Sequence, residues 1–220
     1  MHDLRAIFLN SMAKLILIRH GKTEWNKLGK WTGHAESDLI EEGIADAKRA
    51  GESLKDIFID CAFVSDLRRA QQTFTQICNT LGKDIKSVIH PAIKERNYGV
   101  YTGKNKWEIK EQVGEEEFQK LRRGWDVPIP EGESLKDVYA RVIPYYESQI
   151  KPELLAGKNI AVVSSGNALR ALVKYLEHIP DEKIAELEFG LGEVYVYTMD
   201  SAGGITSKEI RAANEMKGKV

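Results

Sequence analysis

Three short apolar runs stand out along the chain: KLILI at 14–18, unbroken after its opening lysine, CAFV at 61–64 and IAVV at 160–163. A strand solvated on one face alternates apolar and polar residues, so unbroken runs of this length predict strands buried on both faces, as in a parallel sheet. Between them the apolar positions recur at three to four, as in Ile44, Ala47, Gly51 and Leu54, and again in Ala70, Phe74, Ile77 and Leu81. That spacing predicts helices, as it does from Ala168 to Leu176 and from Leu135 to Ile150 after the PEGES turn. GEVYVYTM at 192–199 predicts a late strand. Strand and helix in alternation argue for an α/β fold: a three-layer sandwich with a mostly parallel central sheet flanked by helices.

The stretch from about 97 to 133 differs, with Gly, Trp and basic residues and only short helical pieces, NKWEIKEQ and EEEFQKLRR. It reads as a mixed helical and loop insertion over the carboxyl ends of the strands, where open α/β sheets bind ligands. The expectation is one domain over 1–220, with a core at about 13–200 and a flexible tail at about 201–220. Lys208, Arg211, Lys217 and Lys219 make that tail basic, and a lid over the cleft is the other way to read it.

Composition narrows the function. With 32 Lys plus Arg against 33 Asp plus Glu in 220 residues, the net charge is −1, so no global field draws nucleic acid or an anionic membrane, and any basic function is local. No apolar run reaches the length of a membrane span. Cys61 and Cys78 lack the spacing of a disulfide framework or a zinc site, and the first twelve residues lack the features of a secretory signal, with Met12 a possible start. A cytoplasmic location and no metal are expected.

Chemistry gathers at two strand ends. The first strand runs into Arg19, His20 and Gly21, and the run at 160–163 leads into Ser164, Ser165, Gly166 and Asn167. A histidine at such an edge can attack phosphorus through a ring nitrogen while an arginine neutralises phosphoryl oxygens and a glycine admits backbone amides. A histidine taken alone is more often a satisfied, partly buried side chain.

The surrounding blocks change that balance. RHGKTEWN from Arg19, Thr32 with Gly33, SDLRRA with Arg69, ERNYG from Glu95, Asn105 with Lys106, RRGWDVP from Arg122 and GNALRALVKYLE from Gly166 occur in one order. Together they resemble the cofactor-dependent phosphoglycerate mutases of the histidine phosphatase superfamily. The resemblance implies that His20 becomes a phosphohistidine, that Arg19 and Arg69 clamp the phosphoryl group, and that Glu95 exchanges a proton with the hydroxyl that gives or takes it. It further implies ligand contacts from Gly21, Lys22, Thr23, Glu24, Trp25, Asn26, Thr32, Gly33, Gly166 and Asn167. Arg96, Asn97, Tyr98, Lys106, Arg122 and Arg123 would hold the rest of a phosphoglycerate. The implied partners are small phosphorylated three-carbon acids, and the implied cofactor is 2,3-bisphosphoglycerate, which primes His20. The implied reaction is interconversion of 3-phosphoglycerate and 2-phosphoglycerate in glycolysis and gluconeogenesis.

One position departs from the pattern. The family carries a second catalytic histidine immediately before the GN pair, where this chain has Ser165. A neutral, shorter hydroxyl cannot make the same charge-assisted contact, so reduced turnover is expected, whether the serine is natural or introduced. Two alternatives stay open: a broader phosphomonoesterase, and a phosphoglycerate-binding protein without catalysis. Thr23 and Asn97 replace a common serine and a frequent histidine, and a block that helps longer members assemble is missing, which implies a monomer or small homo-oligomer.

Overall fold

The computed structural model describes residues 12–214. Strand β1 (Ala13–Arg19) lies inside a six-stranded sheet with β2 (Cys61–Ser65), β3 (Ser87–His90), β4 (Ile160–Ser164), β5 (Val194–Met199) and β6 (Ile205–Arg211), in the order β3-β2-β4-β1-β5-β6. The four strands from β3 to β1 run parallel, with Leu17 opposite Val162, whereas β5 and β6 are antiparallel additions. The parallel centre of the sheet follows from the apolar runs, since β1, β2 and β4 pack against helices on both faces.

Alternate residues of those runs serve two different cores. Leu15, Leu17, Phe63, Ile160 and Val162 pack under α6 (Leu135–Tyr145) and α8 (Gly166–Leu176). Ile16, Ile18, Ala62, Val64, Ala161 and Val163 pack under α2 (Glu41–Glu52) and α3 (Arg68–Leu81). A fully buried Leu or Ile contributes about 1.5–3 kcal/mol, so a strand that feeds both layers is strongly fixed in register.

Local signals set the helix ends. The Ser134 hydroxyl accepts from the Asp137 amide at 3.1 Å while the Asp137 carboxylate accepts from the Ser134 amide at 2.9 Å, a reciprocal cap that starts α6. Past Pro144, which supplies no amide donor, the helix widens into a π turn over Tyr146–Ile150 and continues as α7 (Lys151–Leu155). The helix predicted over 135–150 is therefore interrupted and longer.

Two strands were not legible. β3 is a parallel edge strand with Val88 and Ile89 exposed, and β6 occupies residues read as part of a flexible tail. β6 bonds along β5, and at its end Arg211 donates to Asp56 at 2.6 and 3.0 Å and to the Ser53 carbonyl at 2.7 Å. That pairing corrects the tail expectation for 205–211; Lys217 and Lys219 lie outside the described residues. The middle segment holds α4 (Lys106–Val113) and α5 (Glu115–Arg123), joined to the body through buried Trp31, whose ring lies 4.5 Å from that of Tyr98 and 6.1 Å from that of Phe118. A short helix, α1 (Glu24–Lys27), follows β1.

Candidate active site

β1 and β4 end side by side, and the His20 amide donates to the Ser164 carbonyl at 2.9 Å, extending the ladder by one residue. His20 is 3% exposed, and its Nδ1 lies 2.8 Å from the Gly21 carbonyl oxygen. A carbonyl only accepts, so Nδ1 carries the proton and Nε2 keeps its lone pair. Burial, then the charges of Arg69 and Arg19, push the imidazole well below the ordinary histidine range. A neutral imidazole with a lone pair on Nε2 has the chemistry to attack an electrophile through that nitrogen.

The loop that carries it depends on close backbone approach. A Cβ on Gly21 would overlap the Gly43 carbonyl oxygen, and a Cβ on Gly43 would overlap the Lys22 carbonyl oxygen. The Gly21 amide donates to the Thr73 hydroxyl at 3.1 Å, and that hydroxyl donates to the Arg69 carbonyl at 2.7 Å. Arg69, at the start of α3, is 1% exposed and donates to the carbonyls of Ala35 at 3.0 Å and Gly33 at 2.8 Å. Arg19 donates to the Phe189 carbonyl at 2.5 Å. The Nε groups of Arg19 and Arg69 are buried without a partner. Buried guanidinium donors left unpaired are costly, so both arginines suit an anion.

Glu95 faces the same crevice from the loop after β3. Its Oε1 accepts from the amides of Arg96 at 2.6 Å and Asn167 at 3.2 Å. The second bond caps α8 in place of Ser165, whose side chain makes no capping bond. Carboxylates are stabilised at helix N-termini, which holds Glu95 where α8 begins. Its backbone is clamped as well. Arg141 donates to the carbonyls of Ala92, Lys94 and Glu95 at 2.8–2.9 Å and pairs with Glu133, while the His34 ring bonds the Glu95 carbonyl at 2.8 Å.

A cleft opens beside these groups, lined by Arg19, Trp31, Glu95, Tyr98, Lys106, Arg122, Arg123, Gly166, Asn167 and Arg170, with the 187–191 segment and Asn214 on the far side. Its walls carry five cationic side chains against the two carboxylates of Glu95 and Glu188. Arg123 is paired with Glu188. Lys106 is 8% exposed and is pushed down to about 7 by burial, then by Arg122 and Arg19. Burial, then Arg96 and Arg123, lowers Arg170 to about 9, which leaves it charged at neutral pH.

The structure therefore gathers Arg19, Glu95, Tyr98, Lys106, Arg122, Arg123, Gly166 and Asn167 around one opening, with His20 and Arg69 buried behind it. Other residues of the motif blocks do not line the opening. Thr23 and Asn26 cap α1 reciprocally, with the Asn26 side-chain oxygen accepting from the Thr23 amide at 3.1 Å. The Lys22 amide donates to Asp46 at 3.1 Å, the Trp25 amide to the Ser37 hydroxyl at 3.1 Å, and Glu24 is exposed. Thr32 and Gly33 form the turn that Arg69 holds, Gly33 at φ +53°. Arg96 is fully buried and donates to the Leu121 and Arg122 carbonyls at 2.9 and 3.0 Å, tying down the end of α5. Asn97 spends its amide on Glu133 at 2.8 Å and its side-chain oxygen on Gly99 at 2.9 Å.

Ser165 is fully buried in extended conformation, φ −106° and ψ 169°, and its hydroxyl has no partner. The neighbouring Ser164 hydroxyl bonds the Ile93 carbonyl. Sequence reasoning missed Arg170, Arg141, His34 and Gly43. Arg170 lies within the GNALRALVKYLE block, and that block is the signal that could have found it.

This geometry, a neutral imidazole backed by two buried arginines at paired strand ends, coincides with a family match: the description "Histidine phosphatase superfamily (branch 1)" fits residues 15–210. The chain belongs to the histidine phosphatase superfamily. It is 39% identical over 204 residues to a 2,3-bisphosphoglycerate-dependent phosphoglycerate mutase of Parvibaculum lavamentivorans, covering 91% of this chain and 97% of the relative. A protein of the same description from Mesorhizobium japonicum is 42% identical over 199 residues, 89% of this chain and 97% of the relative. Among solved structures, Bacillus stearothermophilus YhfR is similar at TM-score 0.77 and 25% identity, covering 88% of this chain and 94% of its own.

Proposed function

We propose that this chain is a 2,3-bisphosphoglycerate-dependent phosphoglycerate mutase, which interconverts 3-phosphoglycerate and 2-phosphoglycerate through phospho-His20 in cytoplasmic glycolysis and gluconeogenesis. The observation that carries the reading is the excess of cations on the cleft wall beyond the Arg19–Arg69 pair. One phosphoryl group occupies that pair, so Lys106 and Arg122 suit a second anionic group on the same small molecule. The mutase relatives support the same reading.

The bisphosphate fits the residues present, because the Nε groups of Arg19 and Arg69 are buried without a partner and the buried Lys106 ammonium feels more repulsion, from Arg122 and Arg19, than attraction, from Glu95. When bound, it supplies the phosphoryl group that loads His20. His20 Nε2 attacks phosphorus as the bond to the sugar-acid oxygen breaks, and Glu95 protonates that leaving oxygen. On the return step the acceptor hydroxyl gives its proton to Glu95 while its oxygen takes the phosphoryl group from Nε2. Arg19 and Arg69 neutralise phosphoryl oxygens throughout, and their buried setting strengthens that effect. Ser165 supplies no charge-assisted donor to those oxygens, so turnover is slow for the reaction class.

The test is a coupled assay for 2-phosphoglycerate formation with and without 2,3-bisphosphoglycerate, alongside acid-labile phosphate on wild-type protein and His20→Ala. Bisphosphate-dependent turnover and label lost in the variant support the mutase. Steady phosphate release without that dependence would establish a phosphatase, and tight ligand binding without label would establish a binding protein.

A further inference from the structure

Asn167 stands between two side chains of unequal chemistry. Arg170 Nη1 lies 2.8 Å from its Oδ1, and its Nδ2 lies 2.9 Å from the Tyr98 hydroxyl oxygen. A guanidinium offers only donors, so the Asn167 atom facing it has to be the oxygen, and the amide nitrogen has to face Tyr98. Flipping the amide would set N–H against N–H. Arg170 cannot swing away to allow it, because its other nitrogens donate to the carbonyls of Leu187, Arg123 and Ile184 at 2.8–3.1 Å.

The consequence reaches the cleft. Tyr98 accepts a hydrogen bond from Asn167, and its own hydroxyl hydrogen has no acceptor among the described residues. Its ring is held in place, 4.7 Å from the Arg96 guanidinium carbon and 4.5 Å from the Trp31 ring. We propose that Arg170 is a positioning residue: it sets the direction of a relay from Arg170 through Asn167 to Tyr98 and so commits the Tyr98 hydroxyl to donate to an anionic ligand oxygen. A neutral donor adds grip without another like charge beside Lys106 and Arg122.

The identity of the ligand rests on the mutase reading, but the direction of the relay does not. The test is a double-mutant cycle read by calorimetric binding of 3-phosphoglycerate. In the wild-type background Tyr98→Phe weakens binding about ten- to a hundredfold, the range for a hydrogen bond to a charged group. Arg170→Met frees the amide to flip, and Tyr98→Phe then costs less than about threefold. Because Arg170→Met strands three backbone carbonyls and can unfold the protein, Asn167→Asp is the second background. The introduced carboxylate still accepts from Arg170 but also takes the Tyr98 hydrogen, so Tyr98→Phe again costs less than about threefold, and the cycle cancels the added charge. An equal Tyr98→Phe penalty in wild-type and variant backgrounds overturns the relay. If wild type does not bind 3-phosphoglycerate, the mutase reading fails instead, and the same cycle with inorganic phosphate decides the relay.

Discussion

Replacing Lys106 with methionine should make the protein more stable and its ligand binding weaker, and both effects follow from where the ammonium sits. Lys106 is 8% exposed, no carboxylate among the described residues forms an ion pair with it, and the repulsion of Arg122 and Arg19 outweighs the attraction of Glu95. Moving its ionisation from 10.5 to about 7 puts a ceiling of about 5 kcal/mol on the folding free energy lost while it is charged, at 1.36 kcal/mol per pH decade. Relaxation and water entry reduce this, so Lys106→Met should gain about 2–5 kcal/mol at pH 6. The sign depends on pH. Between about 7 and 10.5 the unfolded wild type binds more protons than the folded one, so wild-type stability rises with pH across that window. The advantage of the variant is therefore complete below pH 7 and vanishes above about 10.5. Urea denaturation of both proteins at pH 6, 7, 8 and 9 measures it. In parallel, 3-phosphoglycerate should bind Lys106→Met about tenfold or more weakly at pH 6, because a charge-assisted contact is gone. A variant less stable than wild type at pH 6, or a gain that does not shrink by pH 9, would refute the reasoning.

Ser165→His should raise mutase turnover about 10²–10³-fold by restoring a charge-assisted donor at the transferring phosphoryl group, and unchanged turnover would show that this position does not limit the reaction. Glu95→Gln keeps an oxygen able to accept from the Arg96 and Asn167 amides but loses proton exchange. Its kcat should fall about 10²–10⁴-fold with urea midpoint nearly unchanged, and a large loss of stability would mean the carboxylate charge is mainly structural. Gly43→Ala forces a methyl group into the Lys22 carbonyl and should cost about 2 kcal/mol or more by urea denaturation, together with loss of phosphate on His20. Normal stability in that variant would remove the close-approach account of the His20 loop.

The core sheet could be read from the chain because burial on both faces leaves no polar position in LILI at 15–18, CAFV or IAVV, and such runs have few alternatives. The edge strands could not. β3 and β6 leave most of their side chains in solvent, so they carry no apolar run, and pairing with a neighbour alone makes them strands. The site divides in the same way. His20, Arg19, Arg69 and Glu95 sit in compact blocks beside strand or helix ends, where local residue order marks them as candidates. Tertiary structure alone decided that Arg96 ties down α5, that Arg141 clamps the loop behind Glu95, and that Arg170 orients Asn167. Arg96 and Arg141 act through backbone carbonyls, which every residue possesses, so no residue type announces the partner. The Gly21–Gly43 contact is hidden for a related reason: a glycine shows that space is needed, and only the folded chain shows which backbone fills it.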